Sequence, residues 1–275
     1  MGTGRNFNLW NTAILLAASL VGVVSFIYPF FVPRQEQEAG FGAMAHIQDA
    51  PLVFVVLVAL CLGAVVGNLG SGQMNAKMVA VLGILSAINA VLRLVPGPAG
   101  FAAVFFLPIL CGYVYGPTFG FLLGALSLLV SALLGGGVGP WLPYQMFATG
   151  WVGLLSALLP ERVLRRLGRA EVMLLALWGF GLGLLFGAVM NLWFWPFVFV
   201  PGQSSLYWQP GLSLGQTLQR YALFYGATSF AWDLGRAGGN FLLILFFGAP
   251  ILRLLRRFRQ RFRFQVAEAH GRKGA

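Results

Sequence analysis

Acidic residues are scarce in this chain: seven Asp and Glu stand against eighteen Lys and Arg in 275 residues, a formal net charge of +11. Only Asp233 falls deep in an apolar run, with no second carboxylate near it in sequence, so paired acid–base chemistry has no basis. Histidine is as rare, and His46 and His270 both lie outside the apolar runs, which argues against an intramembrane Ser–His site or a His-ligated metal. The two cysteines, Cys61 and Cys111, sit in separate apolar runs and offer neither a disulfide framework nor metal-ligand spacing, so they read as core filler. No GxxxxGK[ST] element is present, and with it goes ATP hydrolysis by a P-loop. An enzyme is disfavoured, and neither a cofactor nor a metal is implied. Charge of either sign is thin as well, at 9% of residues against about 25% in soluble domains.

Apolar residues fill the space that charge leaves, at 59% of the chain. Spanning helices need about 20 mostly apolar residues, because hydrocarbon cannot satisfy free backbone groups. Eight segments qualify, at 10–31, 52–69, 77–95, 101–115, 117–134, 142–159, 172–199 and 220–251, and the fold class is an all-α integral membrane protein. Threading them alternately with both termini in the cytoplasm puts fourteen of the eighteen basic residues inside: Arg5, Lys77, the four arginines of ERVLRRLGR and eight residues from Arg253 to Lys273. The excess of positive charge is then matched to anionic lipid headgroups rather than to nucleic acid. In this threading loops 33–50, 95–100, 135–146 and 201–217 face outward. The terminal ILRLLRRFRQRFRF reads as an inside-facing anchor, with Ile251, Leu254, Leu255, Phe258 and Phe262 on one helical face.

Three outward or deep clusters carry chemistry. GGGVGPWLPYQM (135–146) packs four glycines and two prolines around Trp141, Tyr144 and Gln145, and irregular backbone at membrane depth is tolerated only where protein buries it or it lines a cavity. Trp141 alone fits an interfacial belt equally well, whereas an amide such as Gln145 is not needed there. MNLWFWPFVFVPG repeats the pattern with Asn191, Trp193 and Trp195 before Pro196, followed by a polar connector long enough to act as a lid or to be an ordinary loop. SFAWDLGRAGGN sets Asp233, Arg236 and Asn240 on one helical face. Charges at depth pair or face a cavity, so Asp233 and Arg236 either contact a ligand or lock the helix to its neighbours.

On MNAKMVAVLGILSAINAVLRL, on FFLPILCGYVYGPTFGFLLGALSLLVSALLGGGVGPWLPYQMFATGWVGLLSALLP, on NLWFWPF and on TSFAWDLGRAGGN, the chain resembles the substrate-specific S components of energy-coupling factor (ECF) vitamin transporters. The resemblance covers about residues 74–258. It implies a six-helix substrate-binding core, preceded here by two extra helices within 1–73 and followed by a basic tail, 259–275. It also implies capture of a vitamin or precursor from outside, with a transmembrane coupling subunit and two cytoplasmic ATPase subunits as partners. The family's AxxxA contact pattern has a strict match from Ala76 to Ala80 and a looser one from Gly83 to Ala87, which places the coupling surface on Ala76, Ala80, Gly83 and Ala87.

The expected function is therefore the substrate-binding membrane subunit of an ECF-type importer. Its site is expected to be built from Trp141, Tyr144, Gln145, Asn191, Trp193, Trp195, Asp233, Arg236 and Asn240. Aromatic abundance favours a ring-containing vitamin, with a cobalamin-related one first. A stand-alone secondary transporter of a small organic solute is the alternative, and a membrane scaffold whose aromatics form only a belt is a third class.

Overall fold

The computed structural model describes residues 9–31, 45–72, 74–95, 97–98, 101–200 and 202–271, with side chains through Arg261. Arg5, Arg34, most of the loop expected at 33–50, Arg272, Lys273 and the side chains of Phe262 and His270 lie outside the described residues. The helices are α1 (Leu9–Ile27), α2 (Ala50–Gly70), α3 (Ala76–Leu94), α4 (Phe106–Tyr115), α5 (Pro117–Ser131), α6 (Leu142–Ser156), α7 (Glu161–Leu164), α8 (Arg169–Phe194), α9 (Leu214–Thr228) and α10 (Phe230–Gly271).

Among the described residues six helices are long and apolar enough to cross a membrane, and a seventh is obtained if α6 and the segment 161–167, bent by 56°, count as one span. The eight expected segments differ from this at two places. The run at 101–115 forms only the ten-residue α4, about 15 Å long and so roughly half the hydrocarbon thickness. Phe106 to Val114 are all buried, which makes α4 the central helix of the bundle: its apolar character serves protein packing. The run at 220–251 breaks at Ser229. α9 ends there with only Phe224 buried, and α10 begins at Phe230. α10 then continues without interruption through Gly271, across the expected boundary at 259 and past Pro250.

Glycine sets how closely the centre packs. Side chains added at Gly112, Gly120, Gly124 or Gly153 would run into the backbone of a neighbouring helix, so α4, α5 and α6 meet almost backbone to backbone. A second glycine row, Gly179, Gly183 and Gly187 on α8, receives Asn240, Ala237 and Asp233 of α10. α3 lies against α5 and is otherwise exposed, held by the Asn89 amide, which donates to Ser127 Oγ and the Val104 carbonyl, each at 2.9 Å.

The two helices before the family-like core dock on α6. Gly22 of α1 seats against Phe147 and Trp151, and Trp151 Nε1 donates to Ser19 Oγ at 3.2 Å. α1 and α2 hold each other through Asn11 and Asn68, buried and doubly hydrogen-bonded at 2.7 and 2.9 Å. A paired amide is the affordable way to bury this polarity in an apolar setting. Cys61 and Cys111 are both buried and free, as core filler would be.

Candidate functional site

The ends of the bundle differ in chemistry. One end carries the arginine-rich segments. Tyr113 and Arg256 bond to Glu171, Arg256 and Arg259 pair with Glu161, and Tyr115 donates to the Leu255 carbonyl at 3.0 Å. Arg256 and Arg259, expected on the solvated face of the tail, thus turn inward to carboxylates, while Leu254 and Phe258 of the expected apolar face stay exposed. This end ties α4, α7, α8 and α10 together.

The opposite end is poor in charge and rich in rings. Tyr144, in the first turn of α6, is fully buried, and its hydroxyl donates to Asp49 Oδ2 at 2.6 Å. His46 Nδ1 lies 2.6 Å from the same hydroxyl and 2.8 Å from the same carboxylate oxygen. Around His46 stand Tyr144 at 4.4 Å between ring centroids, Phe197 at 4.5 Å, Tyr28 at 5.9 Å and Trp193 at 6.0 Å with planes 22° apart. Phe26 closes the far side of Tyr144 edge-on at 5.0 Å. Burial pushes the Asp49 carboxyl up, but the bonds to His46, Tyr144 and Tyr28 and the nearby His46 charge outweigh it and hold Asp49 below its ordinary value.

His46 is held in a left-handed conformation, φ 57°, the one non-glycine case among the described residues. For a residue with a Cβ this costs about 1–2 kcal/mol, which neighbouring contacts must offset. Two ring nitrogens in this cage, His46 Nε2 and Trp193 Nε1, are buried and meet no partner among the described residues. Among the described residues no group of three or more His, Cys, Asp or Glu is arranged to hold a metal ion.

The sequence-derived residues fall into separate groups. Tyr144 and Trp193 are in the cage. Trp141 is 37% exposed, with its ring laid over Gly139. Gln145 spends its amide oxygen on Arg93, whose guanidinium also donates to Ser131 Oγ at 2.5 Å and lies against Gly136, fastening the ends of α3 and α5 to the start of α6. That contact, with φ of 125° at Gly135 and 86° at Gly137, explains the glycine run: two positions need conformations that side chains resist, and a third must admit a guanidinium.

Trp195 belongs to a second cluster with Phe30, Tyr207, Trp208 and Phe224, and its Nε1 donates to the Leu206 carbonyl at 3.0 Å. With Arg220 donating to the Ser204 and Tyr207 carbonyls, this cluster pins the connector after α8 onto the bundle. Asn191 bridges the break at Ser229, accepting from Ser229 Oγ at 2.7 Å and donating to the Gly187 carbonyl at 2.8 Å. Asp233 sits in the first turn of α10, against Gly187 and 2.6 Å from Arg236, whose guanidinium lies over Phe186. Asn240 donates to the Gly179 carbonyl at 2.9 Å. Asp233 and Arg236 therefore engage each other and α8, and Asn240 engages α8. Ala76, Ala80, Gly83 and Ala87 form one exposed stripe on α3, and nothing lies within 4 Å of a side chain added at Gly83.

Sequence reasoning passed over His46, Asp49 and Arg93. His46 lies outside the apolar runs and was set aside, yet the stretch HIQDAP carried a signal: His and Asp three apart, with Asp as the last residue before a helix that opens on Ala50 and Pro51.

A multi-pass helical membrane protein with a buried aromatic and polar site near one end of its bundle is the class that this geometry defines. A family model for the substrate-specific component of ECF transporters matches residues 77–249, more than half of the chain, and the chain belongs to that family. It is a substrate-binding membrane subunit of a transporter of this kind. No curated protein and no solved structure matches the chain.

Proposed function

We propose that this chain captures a vitamin or vitamin precursor at the arginine-poor end of its bundle, outside the cell, and delivers it inward with a transmembrane coupling subunit and two cytoplasmic ATPase subunits. The observation that carries the proposal is the cage of Tyr28, Tyr144, Trp193, Phe197 and His46 at one end of the family-matched core, with two buried nitrogens that have no partner among the described residues. Flat aromatic walls with a few convergent polar atoms are what a ring-containing ligand needs. Gln145, Asn191, Trp195, Asp233, Arg236 and Asn240 serve this site by fixing the helices and the connector that frame it. Trp141 rides on the 135–142 loop, which with 201–217 closes over the ligand.

Both termini are cytoplasmic in this proposal, because the arginine-rich end then meets the anionic leaflet. The exposed stripe Ala76, Ala80, Gly83 and Ala87 is the surface offered to the coupling subunit, since small residues four apart permit close helix approach. A cobalamin-related compound is the first class to test, followed by pyrimidine or thiazole precursors, folate and riboflavin.

Proteoliposome uptake of radiolabelled vitamins tests the proposal. The chain reconstituted with an ECF coupling subunit and its ATPases should accumulate one vitamin only with ATP inside the assay. Uptake by the chain alone, driven by an ion gradient and indifferent to ATP, would establish the stand-alone secondary transporter instead.

A further inference from the structure

We infer that His46 is a plug: its imidazole, supplied by the turn between the two helices that precede the family core, occupies the ring site of that core and must withdraw before a ring-containing substrate enters. The inference rests on the proposal above that the aromatic cage is the substrate site, and it names the regulation of that site.

The core builds a site for a flat ring, and a flat ring from outside the core already fills it. Tyr144, Trp193 and Phe197 lie within the family-matched residues 77–249, whereas His46 does not. The His46 side chain has no exposed surface, the ring centroids of Tyr144 and Phe197 lie 4.4 and 4.5 Å from its own, and the Trp193 plane is tilted from it by only 22°. Packing this close leaves no room for a second ring while the imidazole is seated. Taking it away leaves a ring-sized space lined by three aromatic side chains of the core.

The plug is held in a way that permits release. Among the described residues, the hydrogen bonds from His46 and Asp49 to the core all end on one group, the Tyr144 hydroxyl, which donates to Asp49 Oδ2 at 2.6 Å and lies 2.6 Å from His46 Nδ1. Two costs oppose this carboxylate–hydroxyl clamp. His46 keeps a left-handed backbone, φ 57°, which a residue with a Cβ resists. Its Nε2 is buried without a partner among the described residues, a cost in whichever protonation state the ring is held. Both are relieved when the turn withdraws and the ring reaches water. The anchor of α1 on α6, Gly22 against Trp151 and Trp151 Nε1 on Ser19 Oγ, does not involve the turn, so the ring can leave while the helices stay docked. The role of the two extra helices follows: they carry a tethered competitor for the site. Such a competitor lowers the apparent affinity by the fraction of molecules whose cage is open, about tenfold if the ring is seated about nine-tenths of the time.

Thermal unfolding of the full-length detergent-solubilised chain, titrated with riboflavin, folate, thiamine, pyridoxine and cobalamin, tests this. His46→Gly removes the ring and suits the left-handed backbone; His46→Asn, also at ease in that conformation, is the second variant should the glycine form fail to fold. The vitamin that stabilises the wild type should bind the variant at least tenfold more tightly, and 4-methylimidazole, the free form of the side chain, should compete with it there. An apparent Kd unchanged or raised in the folded variant overturns the inference and leaves the substrate-binding proposal standing, because a ring that only lines the site loosens binding when it is lost. Tighter binding that 4-methylimidazole does not compete also overturns it, since the gain then arises away from the vacated ring site. Folded wild type and variant that none of the five vitamins stabilises count against both.

Discussion

Replacing Gly120 by alanine adds one methyl group where three helices cross. Its carbon would stand 2.5 Å from the Gly153 carbonyl oxygen, 2.7 Å from the Gly153 carbonyl carbon and 2.7 Å from Gly112 Cα. Ordinary contacts between such atoms begin near 3.5 Å, so α5 must withdraw from α4 and α6 by about 1 Å. No side chain can rotate away, because every obstructing atom is backbone. Overpacking costs about 1–3 kcal/mol, and backbone obstruction on two sides puts Gly120→Ala at about 3 kcal/mol. The displacement also loosens the neighbouring contact of Gly124 with Thr149 and Gly150. At 2–4 °C per kcal/mol, the detergent-solubilised variant should melt roughly 6–12 °C below wild type. Gly83→Ala is the matched control, since it lies mid-helix on α3 with nothing within 4 Å. Alanine there gains up to about 1 kcal/mol of helix propensity and should melt at or slightly above wild type. A Gly120→Ala variant melting within about 1 °C of wild type would refute the backbone-to-backbone packing of α4, α5 and α6.

Other expectations follow from particular contacts. Glu171→Gln removes one of the two carboxylates on Arg256 and weakens the bond to Tyr113, while Arg256 keeps Glu161 at 3.1 Å, so the melting temperature should fall by less than a fully broken buried pair, worth about 3–5 kcal/mol, would give. Asp49 is held below its ordinary value of 3.8, so its stabilising share is complete above that pH and is lost as pH falls through the lower folded value. A melting-temperature profile should therefore fall less steeply below pH 4 in Asp49→Asn than in wild type, and parallel profiles would count against the clamp. Asn11→Leu leaves the Asn68 amide with only the Ala64 carbonyl and should cost about 0.5–2 kcal/mol, checked by melting.

How far the sequence revealed this molecule depends on which physics each residue obeys. Apolar runs located the long helices because hydrocarbon demands them, but the same signal could not tell α4 from a span: a helix buried by protein is as apolar as one buried by lipid. The break at Ser229 was hidden because α9 and α10 read as one apolar stretch, and what divides them is tertiary, Asn191 reaching Ser229. Tyr144 and Trp193 stood out through the helix-hostile residues around them, and both meet His46. Gln145 was found too, but its partner is Arg93, distant in sequence and legible beforehand only as an outer charge. His46 was missed because its value comes from meeting Tyr144 across the fold, and one chain's pattern carries no trace of that encounter.

Isothermal titration calorimetry of the chain alone, in lipid nanodiscs, against the vitamin panel tests the central claim most directly. The account predicts saturable one-to-one binding of a ring-containing vitamin without ATP or any partner, weakened at least tenfold in Trp193→Phe. Binding that arises only when the coupling subunit and ATPases are added, or that ignores the cage substitution, would contradict it.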